Sequence, residues 1–252
     1  MEKLTAIIPT GNEAHNIEEV LKSVSFADEI MVVDSFSTDN TVELARKYTD
    51  FIIQREYEYS ASQKNWAIPQ ATHEWILLVD ADERITPELK DEIQNILKNG
   101  SDCAGYWIYR DNLFMGRQLK NSGIKGDKCI RLFRKSLCKY EDKHVHAEII
   151  ADGKVDFLKN KMLHDTYVSI DKFYVKMNRY ATWQAEDYAK KQSKVNFFHL
   201  WLKPNFRFVK HFIVGGGFRD GFEGYVYAIT QKHAVKMRYI KLKMLLKNKS
   251  IK

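Results

Sequence analysis

Trp75-Ile76-Leu77-Leu78-Val79-Asp80-Ala81-Asp82 decides how this chain of 252 residues is read. An unbroken run of five apolar residues describes a strand covered on both faces, as in a parallel sheet, and two carboxylates follow where the strand leaves it. Residues two apart in extended chain project to one side of the backbone, so Asp80 and Asp82 point the same way. Paired carboxylates at a strand end suit Mg²⁺ or Mn²⁺, which takes one or two protein carboxylates and completes its shell with water and phosphate oxygens. The plain structural reading is a solvated turn, because Asp is common there.

Working outward, apolar β-rich segments recur at residues 4–8, 30–33 and 51–53. Spacings of roughly 20 to 25 residues are those of successive βαβ crossovers and predict a parallel sheet. Helical periodicity fills the gaps. Ile17, Val20, Leu21 and Val24 recur at i, i+3, i+4 and i+7, and Val42, Leu44 and Ala45 follow the capping pair Asp39-Asn40. Thr86-Pro87-Glu88 is an N-cap with proline in the first turn, ahead of Leu89, Ile93, Ile96 and Leu97, and Gly100 suits the C-cap. Beyond residue 100 come irregular, aromatic strands at 105–110, 129–133, 148–150 and 155–157, of the kind that covers a sheet edge and builds a site. From Asp171 the spacing turns helical again, with Phe173, Val175, Met177, Tyr180 and Trp183 among basic residues. The expected architecture is α/β over residues 1–169, followed by an amphipathic helical extension over 170–252 that packs on the body.

Hydrophobic residues make up 44% of the chain, enough for a core, so disorder is not expected. Three cysteines (Cys103, Cys129, Cys138), without a CxxC pair, argue against a disulfide framework or a zinc site and fit a reducing cytosol. Met1-Glu2-Lys3-Leu4 runs directly into a strand-like segment, so a cleaved leader is not expected, and no apolar stretch is long enough to span a bilayer. Charge is divided unevenly: from Asp171 onward 18 Lys and Arg face 5 acids, which leaves the preceding part net acidic within an overall +7. A basic tail can serve nucleic acid, an anionic membrane or simple solvation.

In a doubly wound sheet, ligands bind beyond the carboxyl ends of the strands, near the point where strand order reverses. Polar residues stand there three times: Pro9-Thr10-Gly11-Asn12-Glu13, Asp34-Ser35-Phe36-Ser37-Thr38-Asp39 and Asp80-Ala81-Asp82. Each has a structural alternative, respectively a turn, a helix cap at residues 37–39, and a cap for the next helix at Asp82. Their joint occurrence favours a common site.

Ile7-Ile8-Pro9-Thr10-Gly11-Asn12-Glu13 resembles the opening of family-2 glycosyltransferases, usually I-P-T-Y-N-E, and residues 33–41 resemble their D-D/S-x-S-x-D-x-T. Asp80-Ala81-Asp82 matches their D-x-D in order and spacing. Arg131-Leu132-Phe133-Arg134, Val145-His146, Leu163-His164 and Gly217-Phe218-Arg219-Asp220-Gly221 are similar to the branch that adds glucose to the lipopolysaccharide inner core. The resemblance implies a GT-A fold, with a Rossmann-like, mostly parallel sheet, and an inverting transfer of a hexose from a UDP-sugar to a saccharide or lipid-linked saccharide. It assigns residues 1–100 to the nucleotide sugar and 101–169 to the acceptor. Pro9, Thr10, Asn12 and Glu13 would line the nucleoside pocket with Ser37 and Ala81, Asp34 would accept the uracil imide N–H, and Asp80 would hold ribose or a metal water. Asp82 would ligate Mg²⁺ or Mn²⁺, which stabilises the leaving diphosphate. Lys64 stands where these enzymes often carry Arg and would add positive charge at the diphosphate; a surface lysine is the alternative.

Two departures follow from the same resemblance. Gly11 replaces the usual aromatic residue, so stacking under the base from that position is absent. Val145-His146-Ala147-Glu148 replaces V-H-E, with the carboxylate one place later, so Glu148, His146 and Asp142 all stand as candidates for the base that takes the acceptor proton. His164 is a further candidate metal ligand.

The tail mixes large apolar groups with cations, as in Phe197-Phe198-His199-Leu200-Trp201-Leu202 and Phe206-Arg207-Phe208-Val209-Lys210-His211. Such segments lie in membrane interfaces, or pack on a body. The expected location is cytoplasmic, peripheral to the inner face of the cell membrane, with oligomeric state left open. Gly215-Gly216-Gly217 reads as a flexible joint or a close-packing point. A nucleotidyltransferase would want a glycine-rich loop after strand one, and an Asp-nucleophile phosphatase would carry D-x-D-x-T after its first strand. A basic nucleic-acid-binding protein would leave three acidic strand ends idle, so no nucleic acid partner is expected.

Overall fold

The structure is a computed structural model that describes residues 2–124, 126–144, 147–167, 169–191 and 194–249, leaving aside the side chains of residues 166, 167, 172 and 249. Two compact units divide the chain: Met1–Asp111 with Gly126–His164, and Asn112–Lys125 with Asp165–Lys252.

In the first unit, β1 (Leu4–Thr10), β2 (Glu29–Asp34), β3 (Ile52–Gln54) and β4 (Trp75–Leu78) are joined by α1 (Ile17–Ser23), α2 (Thr41–Ala45) and α3 (Ser60–Ala67). They pair in parallel in the order β3-β2-β1-β4, with Ile7 opposite Met31 on one side and Leu78 on the other. The chain moves outward from β1 to β3 and then returns to the far side of β1, so strand order reverses between β1 and β4. That is where an open α/β sheet forms a crevice. β4 is buried along its whole length, which explains why its sequence has no alternation.

Beyond β4 the sheet is mixed, in the stretch where the sequence predicts irregular strands. After β5 (Glu83–Arg84) and α4 (Pro87–Asn99) come β6 (Gly105–Phe114), β7 (Arg117–Gln118), β8 (Lys128–Arg134), β9 (Cys138–Tyr140), β10 (Ile149–Ala151), β11 (Val155–Phe157) and β12 (Met162–Tyr167). β8 runs antiparallel to β4 and to β6, β12 is antiparallel to β5, and β9 and β10 form a separate antiparallel pair. β11 adds a further parallel pairing, on β6. Thr86 caps α4 by accepting from the Leu89 N–H at 3.2 Å, so the cap is Thr86 and not Asp82. Two apolar clusters cover the sheet: Ile8, Leu21, Val32, Trp75, Leu77 and Ile93 belong to one, and Ile7, Met31, Ile76, Leu78, Ile130 and Phe133 to the other.

The second unit contains α5 (Ile170–Ala189), α6 (Lys203–Val209) between π-helical turns Phe198–Leu202 and Lys210–Val214, and α7 (Gly221–Lys249). The domain boundary expected near residue 169 meets a different division, because residues 112–125 belong here. Phe114 packs edge-on against Phe173 and Tyr227, and the buried Asp220 accepts from the Asn121 N–H and the Ser122 hydroxyl at 2.9 and 2.8 Å. Gly215 is a close-packing point: a Cβ there would lie 2.5 Å from the Gly123 nitrogen. Phe198, Leu202, Phe206, Val209 and Ile213 recur at steps of three and four residues, and all five are exposed. Among the described residues no helix is long and apolar enough to cross a membrane.

Candidate active site

The loops after β1 and β2 are stitched together through side chains. Asn12, at φ +56°, accepts from the Thr38 N–H at 2.8 Å through its side-chain oxygen, and its own N–H donates to the Ser37 hydroxyl oxygen at 2.8 Å. Thr41 Oγ1 accepts from the Glu13 N–H at 2.8 Å, and Asp39 accepts from the Thr41 N–H and hydroxyl. Burial opposes the Asp39 charge, but these bonds outweigh it and hold the carboxyl below its usual range. Thr10 Oγ1 is buried and has no hydrogen-bond partner among the described residues. Pro9 precedes it on the same strand end.

Asp34 lies fully buried at the end of β2. Its carboxylate accepts from the Ser37 N–H at 3.0 Å, from the Ser37 hydroxyl and from Gln54 Nε2 at 2.9 Å. A base reaching this side chain has first to displace Ser37 or Gln54. The same bonds pin the turn around Phe36, which adopts φ +56° and is 52% exposed. A left-handed conformation costs a residue with a Cβ about 1–2 kcal/mol.

The loop after β4 carries a buried ion network that the sequence did not announce. Asp80 receives Lys64 Nζ at 2.8 Å and Arg131 Nη2, and Arg131 Nη2 also donates to Glu83 at 2.6 Å. Arg110 lies 3.3 Å from Glu83 and binds Asp127 at 2.7 Å. Glu83 is wholly enclosed and accepts from the Asp80 N–H at 3.0 Å, while Tyr140 donates no charge but receives Arg131 Nη1 at 3.2 Å. Burial opposes the Asp80 charge, yet Arg131 and then Lys64 hold its carboxyl well below the usual carboxylate range. Burial is likewise the largest influence against the charges of Lys64 and Arg131, but Asp80 with Tyr140 at Lys64, and Asp80 with Glu83 at Arg131, together raise both. Lys64 is therefore a buried partner of Asp80 and not a surface lysine.

The expected ligand trio is not assembled: among the described residues no three His, Cys, Asp or Glu side chains form a metal-holding group. Asp80 is engaged by cations, whereas Asp82 Oδ1 lies 3.7 Å from His164 Nε2. One carboxylate beside one imidazole is a donor pair that fits a Mn²⁺- or Mg²⁺-type ion whose other positions go to water and phosphate. Arg84 ties this loop to the first by donating to Ala81 O at 2.7 Å and Asn16 Oδ1 at 2.9 Å, and Asn16 Nδ2 reaches Glu13 at 2.9 Å.

Of the candidate bases, Glu148 is exposed just before β10, its backbone held by a pair of bonds with Glu141. Asp142 is exposed and accepts from the Tyr59 hydroxyl. His146 lies outside the described residues. Burial pushes the Cys129 and Cys138 thiols up to about 11, which leaves neither as a thiolate near neutral pH.

A parallel sheet with polar loops gathered at its switch point is the arrangement in which α/β proteins bind their ligands. The model of glycosyl transferase family 2 matches residues 5–200, and the chain belongs to that family. An uncharacterized glycosyltransferase of Rickettsia felis is 32% identical over the whole of this chain and 93% of its own length. The lipopolysaccharide core biosynthesis glycosyltransferase LpsC of Rhizobium meliloti is 26% identical, covering 93% of this chain and 94% of its own. Among solved structures, the mannosyltransferase PcManGT of Pyrobaculum calidifontis, in complex with GDP-Man and Mn²⁺, aligns with TM-score 0.54 at 17% identity over 96% of this chain and 87% of its own. The fold is GT-A and the protein is a glycosyltransferase enzyme.

Proposed function

We propose that the chain moves a hexose, glucose in the first instance, from a UDP-sugar to a lipopolysaccharide-core or other lipid-linked saccharide, with inversion and with a divalent cation. The observation that carries this reading is the knitting of residues 10–16, 34–41 and 80–84 into one set of loops at the switch point, through Asn12, Thr41, Arg84 and Asn16. The likeness to LpsC, which extends over nearly the full length of both proteins, supports a lipopolysaccharide-core acceptor.

Pro9, Thr10, Asn12, Glu13, Ser37 and Ala81 line the nucleoside side of the pocket in this reading. Asp34 fixes the turn and faces the base, and Asp80, kept anionic by Arg131 and Lys64, serves the ribose. Asp82 and His164 would hold the cation, which when bound offsets the charge that builds on the leaving diphosphate. The acceptor hydroxyl oxygen attacks the anomeric carbon, the bond from that carbon to the diphosphate breaks, and the hydroxyl proton passes to a base. Glu148 takes that role first, His146 second and Asp142 third.

The exposed row from Phe198 to Ile213, with Arg207 and Lys210 beside it, supports attachment to an anionic bilayer at the inner membrane face. Transfer is tested by incubating the full chain with UDP-glucose, Mn²⁺ and a truncated lipopolysaccharide core, and reading the anomeric configuration of the product by NMR. An inverted linkage is expected. Retention of configuration, or transfer only from a non-uridine donor, overturns the reading.

A further inference from the structure

The turn after β2 keeps a bulky aromatic residue in a costly conformation and leaves about half of it exposed. Phe36 has φ +56°, a region that side chains other than Gly, Asn and Asp rarely enter, and half of its surface faces solvent. The turn imposes that conformation from both sides. Ser35 N–H donates to the Thr10 carbonyl at 2.9 Å, and Ser37 N–H donates to the Asp34 carboxylate at 3.0 Å. Phe36 belongs to none of the four apolar clusters of the described residues, so the folded chain gains no core packing from its ring. An outlier of this kind is kept where something outside the free chain uses it.

Its neighbours say what that is. Phe36 stands between Asp34 and Ser37 at the carboxyl end of β2, in the loop bonded to Asn12 and Thr10 at the end of β1. Gly11, on the β1 side, has no side chain, and a Cβ there would come within 3.2 Å of Ser35 Cβ. Gly11 thus presents no side chain on the β1 loop and packs tightly on Ser35, while the next residue after Ser35 presents an aromatic ring. We propose that Phe36 is the face on which the donor's nucleobase stacks, and that it sets the affinity for the base half of the nucleotide. This inference rests on the nucleotide-sugar reading above and assigns the base subsite within it. Stacking is indifferent to the hydrogen-bonding edge of a base, so Phe36 contributes affinity for any nucleobase and leaves the choice of uracil to polar groups.

The test measures binding of UDP and of inorganic pyrophosphate, each with Mn²⁺, by calorimetry on the full chain and on three variants. Phe36→Asn removes the ring and tolerates the left-handed backbone; Phe36→Ala removes the ring alone; Phe36→Trp keeps an aromatic face. UDP affinity is expected to fall about tenfold to a hundredfold in Phe36→Asn and Phe36→Ala, with pyrophosphate binding unchanged. In Phe36→Trp it should stay near the parent value, and added UDP should quench the new indole. Equal UDP affinity in Phe36→Asn and the parent overturns the proposal, as does a parallel loss of UDP and pyrophosphate, which would make Phe36 a support for the loop. A parent chain that binds pyrophosphate–Mn²⁺ but no nucleotide sinks both this proposal and the donor reading. Tight parent binding with an indifferent Phe36 sinks this proposal alone.

Discussion

The first unit encloses its charges in opposite-sign pairs, whereas the second displays charges of one sign beside exposed aromatic and aliphatic groups. Asp80, Glu83, Lys64 and Arg131 form a closed network around the loop after β4. In the second unit, Arg207 and Lys210 alternate with Phe206 and Val209, which face solvent. A paired, buried charge holds an atom in one place and responds little to salt; an exposed one-signed row meets a diffuse surface and is screened by salt. In the proposed reading, one unit serves chemistry at a point and the other contact over an area.

The largest effect expected from breaking this contrast is on stability, at Arg131. Its guanidinium serves Asp80, Glu83 and Tyr140 together while almost wholly buried. Arg131→Met leaves two carboxylates without their shared cation, and removing one partner of a buried pair costs about 3–5 kcal/mol. Urea unfolding should show a loss on that scale in the transition of the first unit. A loss below about 1 kcal/mol, the scale of exposed pairs, would mean that the network is effectively solvated.

Next in size is the effect on turnover. Asp82→Ala is expected to lower the transfer rate at least about 10²-fold, because cation stabilisation of a leaving group amounts to several kcal/mol. Urea stability should change less than in Arg131→Met, and vesicle binding should change little. Near-normal turnover would remove the cation role from Asp82 and His164. Glu148→Gln sharpens the assignment of the base: a fall of about 10²–10⁴-fold in rate with unchanged UDP affinity supports it, and an unaffected rate moves the role to Asp142 or His146.

These two effects also mark what the sequence made legible. Asp80 and Asp82 could be placed because β4 is buried on both faces, and such a strand writes itself as an unbroken apolar run; Thr86-Pro87 marked the start of α4 by the chemistry of helix ends. Arg131 could not be paired with Asp80 from sequence. Fifty-one residues separate them, and no local period records a contact that only the sheet creates. The strands β5, β7, β9 and β12 escaped notice for a related reason. The first three have two or three residues each, too few to display alternation, and β12 is spelled Met-Leu-His-Asp-Thr-Tyr, without an apolar face. The sequence places residues 101–169 on the acceptor side, yet Asn121 within that stretch bonds Asp220, about 99 positions away, in the second unit. The positive φ of Phe36 was hidden because phenylalanine carries no left-handed preference.

Acid sensitivity should separate the two units by pH window. His211 is buried against Tyr227, and its Nδ1–H donates to the Ser122 carbonyl at 2.7 Å. Burial, then Arg207 and Lys210 nearby, lower its pKa despite that bond. A histidine kept neutral by the fold is protonated first in the unfolded chain, so stability of the second unit falls as pH drops below about 6.5. The slope for one proton is at most about 1.4 kcal/mol per pH unit. Asp80 has the opposite cause and a lower window: its depressed pKa contributes stability that is complete above about pH 4 and is lost as pH falls further. His211→Asn, which can still donate to Ser122, should flatten the melting profile between pH 7.5 and 5.5. Part of the slope should persist, because burial and Lys203 lower His199 as well. An unchanged slope would show that His211 titrates with solvent and is not enclosed.

The smallest single-site effect belongs to the surface row, and its smallness is itself informative. A basic residue near an anionic bilayer contributes about 1 kcal/mol, so Lys210→Gln should reduce partition onto phosphatidylglycerol vesicles only about fivefold. Raising salt toward 0.5 M should mimic several such substitutions, because the screening length shrinks below the distance from headgroup to side chain. Phe206→Ser and Ile213→Ser together should lower binding at every salt concentration, since their contribution is apolar and unscreened. Neither variant should alter UDP affinity, which the first unit alone is expected to set. Binding that ignores both anionic lipid and salt would erase the contrast between the units. The exposed row would then have to meet an apolar partner, and the surrounding cations would be mere solvation.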